Sequence, residues 1–460
     1  MKARLALLCG AALWPLMVAG CSAGDPSSTA AQSAATRSAT IQGSATGSAG
    51  SSAAGTQTPT GAAAARCPGR TATVPQGPSG RVRVLSRGAA GGPTVSAVVY
   101  PKPQPPGALW SQWGQGLVLP DGRFLSAAGT HDGADGNSYL FVFDPATGEL
   151  TRFTDVLSLV PHRDGDWGYG KIHAPLVLSG CDDVLFSTYW GDRDGLTYTG
   201  SYTGDRLLSL DPWTYRVTDL GVPIPRHGIP SLAGGGGLIY GEAADPQGRA
   251  EGASADVGVF FAADPATGAV LYQSGDERHT GFRAIAVTAD GAALVAGEGS
   301  ALLRYQPGGD LRDSAIRLPA GWLRATTSPA ADGTVYGVTR SPERFFALAA
   351  DGTIRDLGPA PGYIASLALA PDGRELLFVP DAHGRSWQQG TPLMAFDPVT
   401  RTLRTIVELE PLITRGLSVV AGGSYNIAVD PERGRIFVGL NAGASTENPW
   451  GEVVLAVIEP

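Results

Sequence analysis

The sequence predicts an all-β fold: a seven-bladed β-propeller of four-stranded blades, its ring closed by a strand from the N-terminal side. Three observations predict it. From about residue 105 onward, short Val/Ile/Leu/Phe runs alternate with glycine-rich turns, and no long stretch carries helical periodicity. A strand–turn–strand unit recurs every roughly 40–60 residues, the repeat length of a propeller blade. The last unit supplies only three strands, so its fourth must come from elsewhere in the chain.

The turns follow from residue chemistry. Asp-Gly tips recur as "LPDG" at 119–122, "TADG" at 288–291, "AADG" at 330–333 and "APDG" at 370–373, with "DPERG" at 430–434. Asp-Pro turns recur as "FDPATG" at 143–148, "LDPWT" at 210–214, "ADPATG" at 263–268 and "FDPVT" at 396–400. Asp-Pro starts a tight turn, and Gly supplies the positive φ at which the chain reverses. First strands are expected to be led in by Trp113, His173, His227, His279–Arg283, Trp322, Tyr363 and Tyr425, which makes seven; six and eight blades are the alternatives. The last blade offers "YNIAV", "RIFVGL" and "EVVLAVIE". "TVSAVVY" at Thr94–Tyr100 is the strand that would complete it and remove two open edges.

The remaining segments frame this domain. Residues 1–20 read as an export leader, with Lys2 and Arg4 ahead of the apolar run "LALLCGAALWPLMVAG". That run is short for a membrane span. Residues 21–66 are dominated by Ala, Ser, Thr and Gly, bury no core and read as a flexible tether. Its reach is on the order of 35–40 Å. Residues 67–104 form an N-terminal arm that includes the closing strand, and residues 105–460 form the propeller. Outside the export segment only Cys67 and Cys181 remain, and two lone cysteines in an oxidising compartment are expected to pair. Lys and Arg number 34 against 42 Asp and Glu, a net charge of −8 that becomes more negative once Lys2 and Arg4 are removed. With no basic run present, this balance argues against a nucleic-acid partner. A monomer is expected.

In such a ring, the links between blades and the loops joining second to third strands share one face. The first set places Trp110, Trp113, His162, Lys171, His173, Arg226, His227, His279, Arg283, Trp322, Arg324, Tyr363 and Tyr425 there. The second adds His131, Tyr189, Trp190, Asp192, Asp194, Glu242, Asp381, His383, Trp387 and Asn441. All six histidines fall on this face and none on the opposite turns. In "VPIPRHGIPSL" at 222–232, the prolines stiffen the link into the third blade and bring Arg226 and His227 to the channel mouth.

Two chemistries fit this face. In β-elimination on a uronate sugar, Arg226, Arg283 and Arg324 neutralise the carboxylate. His173 or His227 takes the C5 proton, and Tyr202 or Tyr189 protonates the departing oxygen. Trp113, Trp190, Tyr363, Tyr425 and His383 would contact the saccharide. In metal chemistry, His173, His227 and His279 lead into three successive blades and would converge on one divalent ion, leaving positions open for substrate. No cofactor is otherwise called for. In blade four, His279 competes with Arg283 for the position nearest the axis. A propeller that holds a small ligand or a partner protein without turnover is the non-catalytic alternative. No GxSxG motif supports a serine nucleophile, and "GGGG" at 234–237 lacks the lysine of a phosphate loop.

Three resemblances add to this reading. "VAGC" at Val18–Cys21 resembles the lipobox of bacterial lipoproteins. It implies acylation of Cys21, a stable membrane anchor and an extracytoplasmic location. Over nearly all of residues 94–460, the turn pattern resembles seven-bladed propellers of the YVTN, streptogramin-lyase and gluconolactonase-like kinds, which implies a fold and leaves function open. The face is similar, in residue types only, to those of propeller polysaccharide lyases acting on oligogalacturonate, ulvan or rhamnosyl-glucuronate ends. No signature motif of those lyases matches, so no residue role is carried over.

Overall fold

The computed structural model describes Cys67 and residues 70–459, apart from 71, 89–91, 104–108, 194–201, 245–256, 276–277, 280–283 and 384. The side chains of 257, 278 and 279 also lie outside the described residues, as do Cys21 and the whole of 1–66.

Seven antiparallel sheets form the ring. Their first strands are Leu117–Val118, Val177–Ser179, Gly228–Gly235, Ala286–Val287, Trp322–Thr326, Ala368–Leu369 and Val420–Asp430. The two turn classes sit where their chemistry dictates. In four blades the Asp of the Asp-Pro turn (Asp144, Asp211, Asp264 and Asp397) accepts a hydrogen bond from the backbone N–H two residues on, at 2.8, 2.8, 3.0 and 2.7 Å. Gly122 and Gly148 reverse the chain at φ of 91° and 70°.

The ring closes as the strand count requires. Thr94–Val99 pairs with Gly451–Glu459, with Ala97 opposite Ala456. The arm does more than close the ring. Arg83–Ser86 pairs with the outer side of the closing strand, and Ser79–Arg81 pairs with the outer strand of blade one. Cys67 is bonded to Cys181 in the first turn of blade two. The arm therefore straps blades seven, one and two in succession. One short helix, Glu410–Leu417 (α1), precedes blade seven; Pro411 lies in its first turn, and Ser418 caps it at φ 60°.

Blade four is entered after Arg283, not at His279, and the first strand of blade seven begins at Val420, so Tyr425 lies within it instead of leading into it. His279 lies on the two-residue strand Arg278–His279, which pairs with the third strand of blade three, Val257 opposite His279. Its ladder thus extends blade three, and the first strand of blade four starts at Ala286.

The core lies between blades. Phe345 stacks on Phe396 at 4.3 Å between blades five and six, and Phe124 stacks on Phe437 at 4.9 Å between blades one and seven. The axis is a channel with a cavity of about 710 Å³, walled by residues such as Leu117, Val177, Leu232, Val287, Ala325, Leu369 and Ile427. Aliphatic and small residues dominate its wall, with Gln115, Thr326, Thr327, Ser328 and Tyr425 among them.

Candidate functional site

Trp113, in the link into blade one, is the hub of the mouth. Its ring lies 5.9 Å from His131, 6.4 Å from His173, 6.1 Å from His383, 4.6 Å from Tyr425 and 5.9 Å from Trp450. These partners come from inter-blade links, from second-to-third-strand loops and from a first strand, so both loop classes do share one face. The Lys171 ammonium stands over the Trp113 ring at 4.0 Å and lies 5.3 Å from the Tyr189 ring. Trp110 and Trp450 stack at 5.0 Å beside them. Trp110, Trp113 and Trp450 are each half-buried, leaving ring surface at the mouth.

Two histidines have their tautomer set by backbone. His173 is buried, and its Nδ1 lies 2.9 Å from the Pro230 carbonyl. His227 Nδ1 lies 2.8 Å from the Pro225 carbonyl. A carbonyl only accepts, so Nδ1 donates in both and Nε2 is the basic nitrogen of the neutral ring. His227 Nε2 is buried with no hydrogen-bond partner. His131, at φ 56°, is held well below the usual histidine pKa by burial and then by Lys171 and Arg193, so it stays neutral.

Beneath His227 is a buried polar knot. Asp205 N–H donates to the His227 carbonyl at 2.8 Å, and Tyr202 Oη donates to the same carbonyl at 3.2 Å. The Asp205 carboxyl accepts from Ile229 N–H at 2.7 Å and from Thr188 Oγ1 at 3.2 Å. Burial pushes the Asp205 pKa up to about 8. The Tyr202 phenol is raised well above its ordinary value, by burial first and then by Asp205.

On the far side of Trp113, Tyr363 is stacked on His383 at 4.6 Å and 7°. The Arg324 and Arg340 guanidiniums lie 4.9 and 4.7 Å from the Tyr363 ring. Arg324, itself buried, donates from Nε to Tyr363 Oη at 2.8 Å. Tyr425 Oη is 2.6 Å from His383 Nδ1; Tyr425 is buried and His383 exposed.

Among the expected site residues, Trp113, His173, Tyr189, Tyr363, His383, Tyr425 and Arg324 join one continuous set of contacts. Trp190 stacks on Tyr189 at 5.6 Å. Tyr202 and His227 form the neighbouring knot. Arg226 is exposed at φ 63°, its N–H bonded to the Thr203 carbonyl. Arg283 and the His279 side chain lie outside the described residues. Among the described residues, no group of three or more His, Cys, Asp or Glu side chains is placed to hold a metal ion.

No protein-family model matches this sequence, and no curated protein matches it. The chain is similar to solved β-propellers. A streptogramin B lyase shares 14% identity over 79% of this chain and 98% of that one, at a TM-score of 0.48. A virginiamycin B lyase from Staphylococcus aureus shares 12% over 80% and 99%, at 0.49. The WD40 propeller domain of Doa1 shares 11% over 76% and 95%, at 0.46. The chemistry of this chain therefore has to be read from its own side chains.

Sequence reasoning assigned no role to Lys171 and missed Trp450 and Arg340. Trp450 ends the last second-to-third-strand loop, after "NP", whereas Asn441 and Glu242, expected on such loops, lie buried in the second strands Arg435–Gly443 and Leu238–Ala244. Nothing local marks Arg340. Its place beside Tyr363 depends on blades five and six packing together.

Proposed function

We propose that this protein is a cell-envelope propeller, lipid-anchored through Cys21, whose aromatic mouth binds an anionic, uronate-containing saccharide. The observation that carries the binding reading is the pairing of flat rings with fixed cations: Lys171 over Trp113, and Arg324 with Arg340 at Tyr363. Half-buried indoles offer apolar surface to a sugar ring, while the cations suit a carboxylate beside it. Calorimetry with oligogalacturonate, against a neutral glucan of equal length, tests this. Binding of the acidic sugar alone is expected, weakened by added salt and roughly tenfold or more by Trp113→Ala. Equal binding of the neutral glucan, or an unchanged Trp113→Ala, would overturn it. The anchor is tested by mass spectrometry of the mature N-terminus, where an unacylated Cys21 refutes it.

A second reading, β-elimination on the bound saccharide, is favoured by the tautomers. In the neutral rings of His173 and His227, Nδ1 donates to a backbone carbonyl, so Nε2 carries the lone pair that a general base uses. Ultraviolet absorbance of the unsaturated product is its direct readout.

A further inference from the structure

We infer that Tyr425, coupled to His383, is the proton donor of this site, with His173 as the base on the other side of Trp113. The inference rests on the β-elimination reading. Both tyrosines first expected in this role are engaged elsewhere. Tyr202 directs its phenol to the His227 carbonyl, and Tyr189 packs as a buried wall between His173 and Trp190. The titratable partner of Tyr202 is the fully buried Asp205 carboxyl, whereas the Tyr425 hydroxyl meets His383 at 2.6 Å and His383 is exposed.

The ring order supports the assignment. His383 belongs to blade six, Tyr425 to blade seven, Trp113 leads into blade one and His173 into blade two. Trp113 touches both Tyr425 and His173, at 4.6 and 6.4 Å between ring centres. His173 and the Tyr425–His383 pair are thus all ring neighbours of Trp113, where a bound sugar would meet them. Lys171, already over that ring, would pair with the carboxylate.

The step balances without a cofactor or a redox partner. His173 Nε2 takes the C5 proton, and the C5–H electron pair becomes the C4=C5 double bond. The C4–O bond breaks, and the departing oxygen takes the proton of Tyr425 Oη. His383, protonated from solvent, returns a proton through Nδ1 to the phenolate. His173 then releases its proton to water. Tyr425 is the catalytic residue of the pair, and His383 is the positioning and relay residue.

The test uses the full chain with oligogalacturonate and oligoalginate, following unsaturated product and, separately, binding by calorimetry. Tyr425→Phe is expected to lower kcat by about 10²–10⁴ with Kd unchanged. Tyr202→Phe should lower kcat far less than Tyr425→Phe does. His383→Ala should lower kcat with KM little changed, and added imidazole should restore part of it, which a purely structural role would not allow. If Tyr425→Phe does not fold, the exposed His383→Ala decides alone. Turnover retained in Tyr425→Phe, a larger loss in Tyr202→Phe, or no imidazole rescue overturns the assignment. Binding without product from the native chain overturns it too, while leaving the saccharide reading intact. Absence of both binding and product overturns both.

Discussion

Asp205 shows how one residue can tie the fold to the site. Its carboxyl is fully buried, bonded to Ile229 N–H and Thr188 Oγ1, and it underlies the loop that presents His227. Burial raises its pKa from 3.8 to about 8. The folded state therefore holds this proton more tightly than the unfolded state does. The contribution to stability is complete below pH about 4 and is lost as pH rises toward and through about 8. Thermal melts at pH 5, 7 and 9 should show the native protein losing stability with rising pH more steeply than Asp205→Asn. Parallel curves would mean that the carboxyl titrates normally. A mid-chain "GD" pair carries no mark of such burial, since its environment is assembled by the loops of two blades.

Individual strands were legible to different depths. The Asp-Gly and Asp-Pro turns mark strand ends because their hydrogen bonds are local, as at Asp144 and Asp397. The closing strand was legible because the last blade lacked one. The strands Ser79–Arg81 and Arg83–Ser86 were not, because each is short and half exposed and gains its partner only from an existing blade edge. The choice between His279 and Arg283 as the entry to blade four was not legible for the same reason: a two-residue ladder to Val257 draws His279 onto blade three. The closing strand is paired on both sides, and Ala97 is fully buried opposite Arg83 and Ala456. Ala97→Pro removes an N–H in the middle of a sheet and should be strongly destabilising. Its urea midpoint should fall well below that of Ala97→Ser, and similar midpoints would show that the ring does not depend on this pairing.

Across the whole molecule, the arm and its disulfide act as a strap. Cys67 and Cys181 lie 114 residues apart in sequence, so the bond closes a long loop. Cys67→Ser should cost roughly 2–5 kcal/mol, read as a lower midpoint in urea. Cys181 sits in a first-to-second-strand turn, where its carbonyl accepts from Trp213 Nε1 at 2.7 Å. That turn is on the face opposite Trp113. Saccharide affinity should therefore be unchanged in Cys67→Ser at temperatures where it stays folded, and a parallel loss of affinity would contradict the separation of strap and site.

The sequence by itself determined the seven blades, the turn chemistry, the closing strand, the cysteine pair and the face on which the histidines gather. Each of these follows from local patterns repeated along the chain or from counting what is left unpaired. Only the tertiary structure decided which side chains meet. Trp113 finds His173, His383, Tyr425 and Trp450, and Arg340 finds Tyr363, because four or more blades are brought around one axis. The tautomers of His173 and His227 were likewise decided there, by single backbone carbonyls. Such contacts join residues far apart in sequence, and their distances depend on ring closure, which no local pattern encodes.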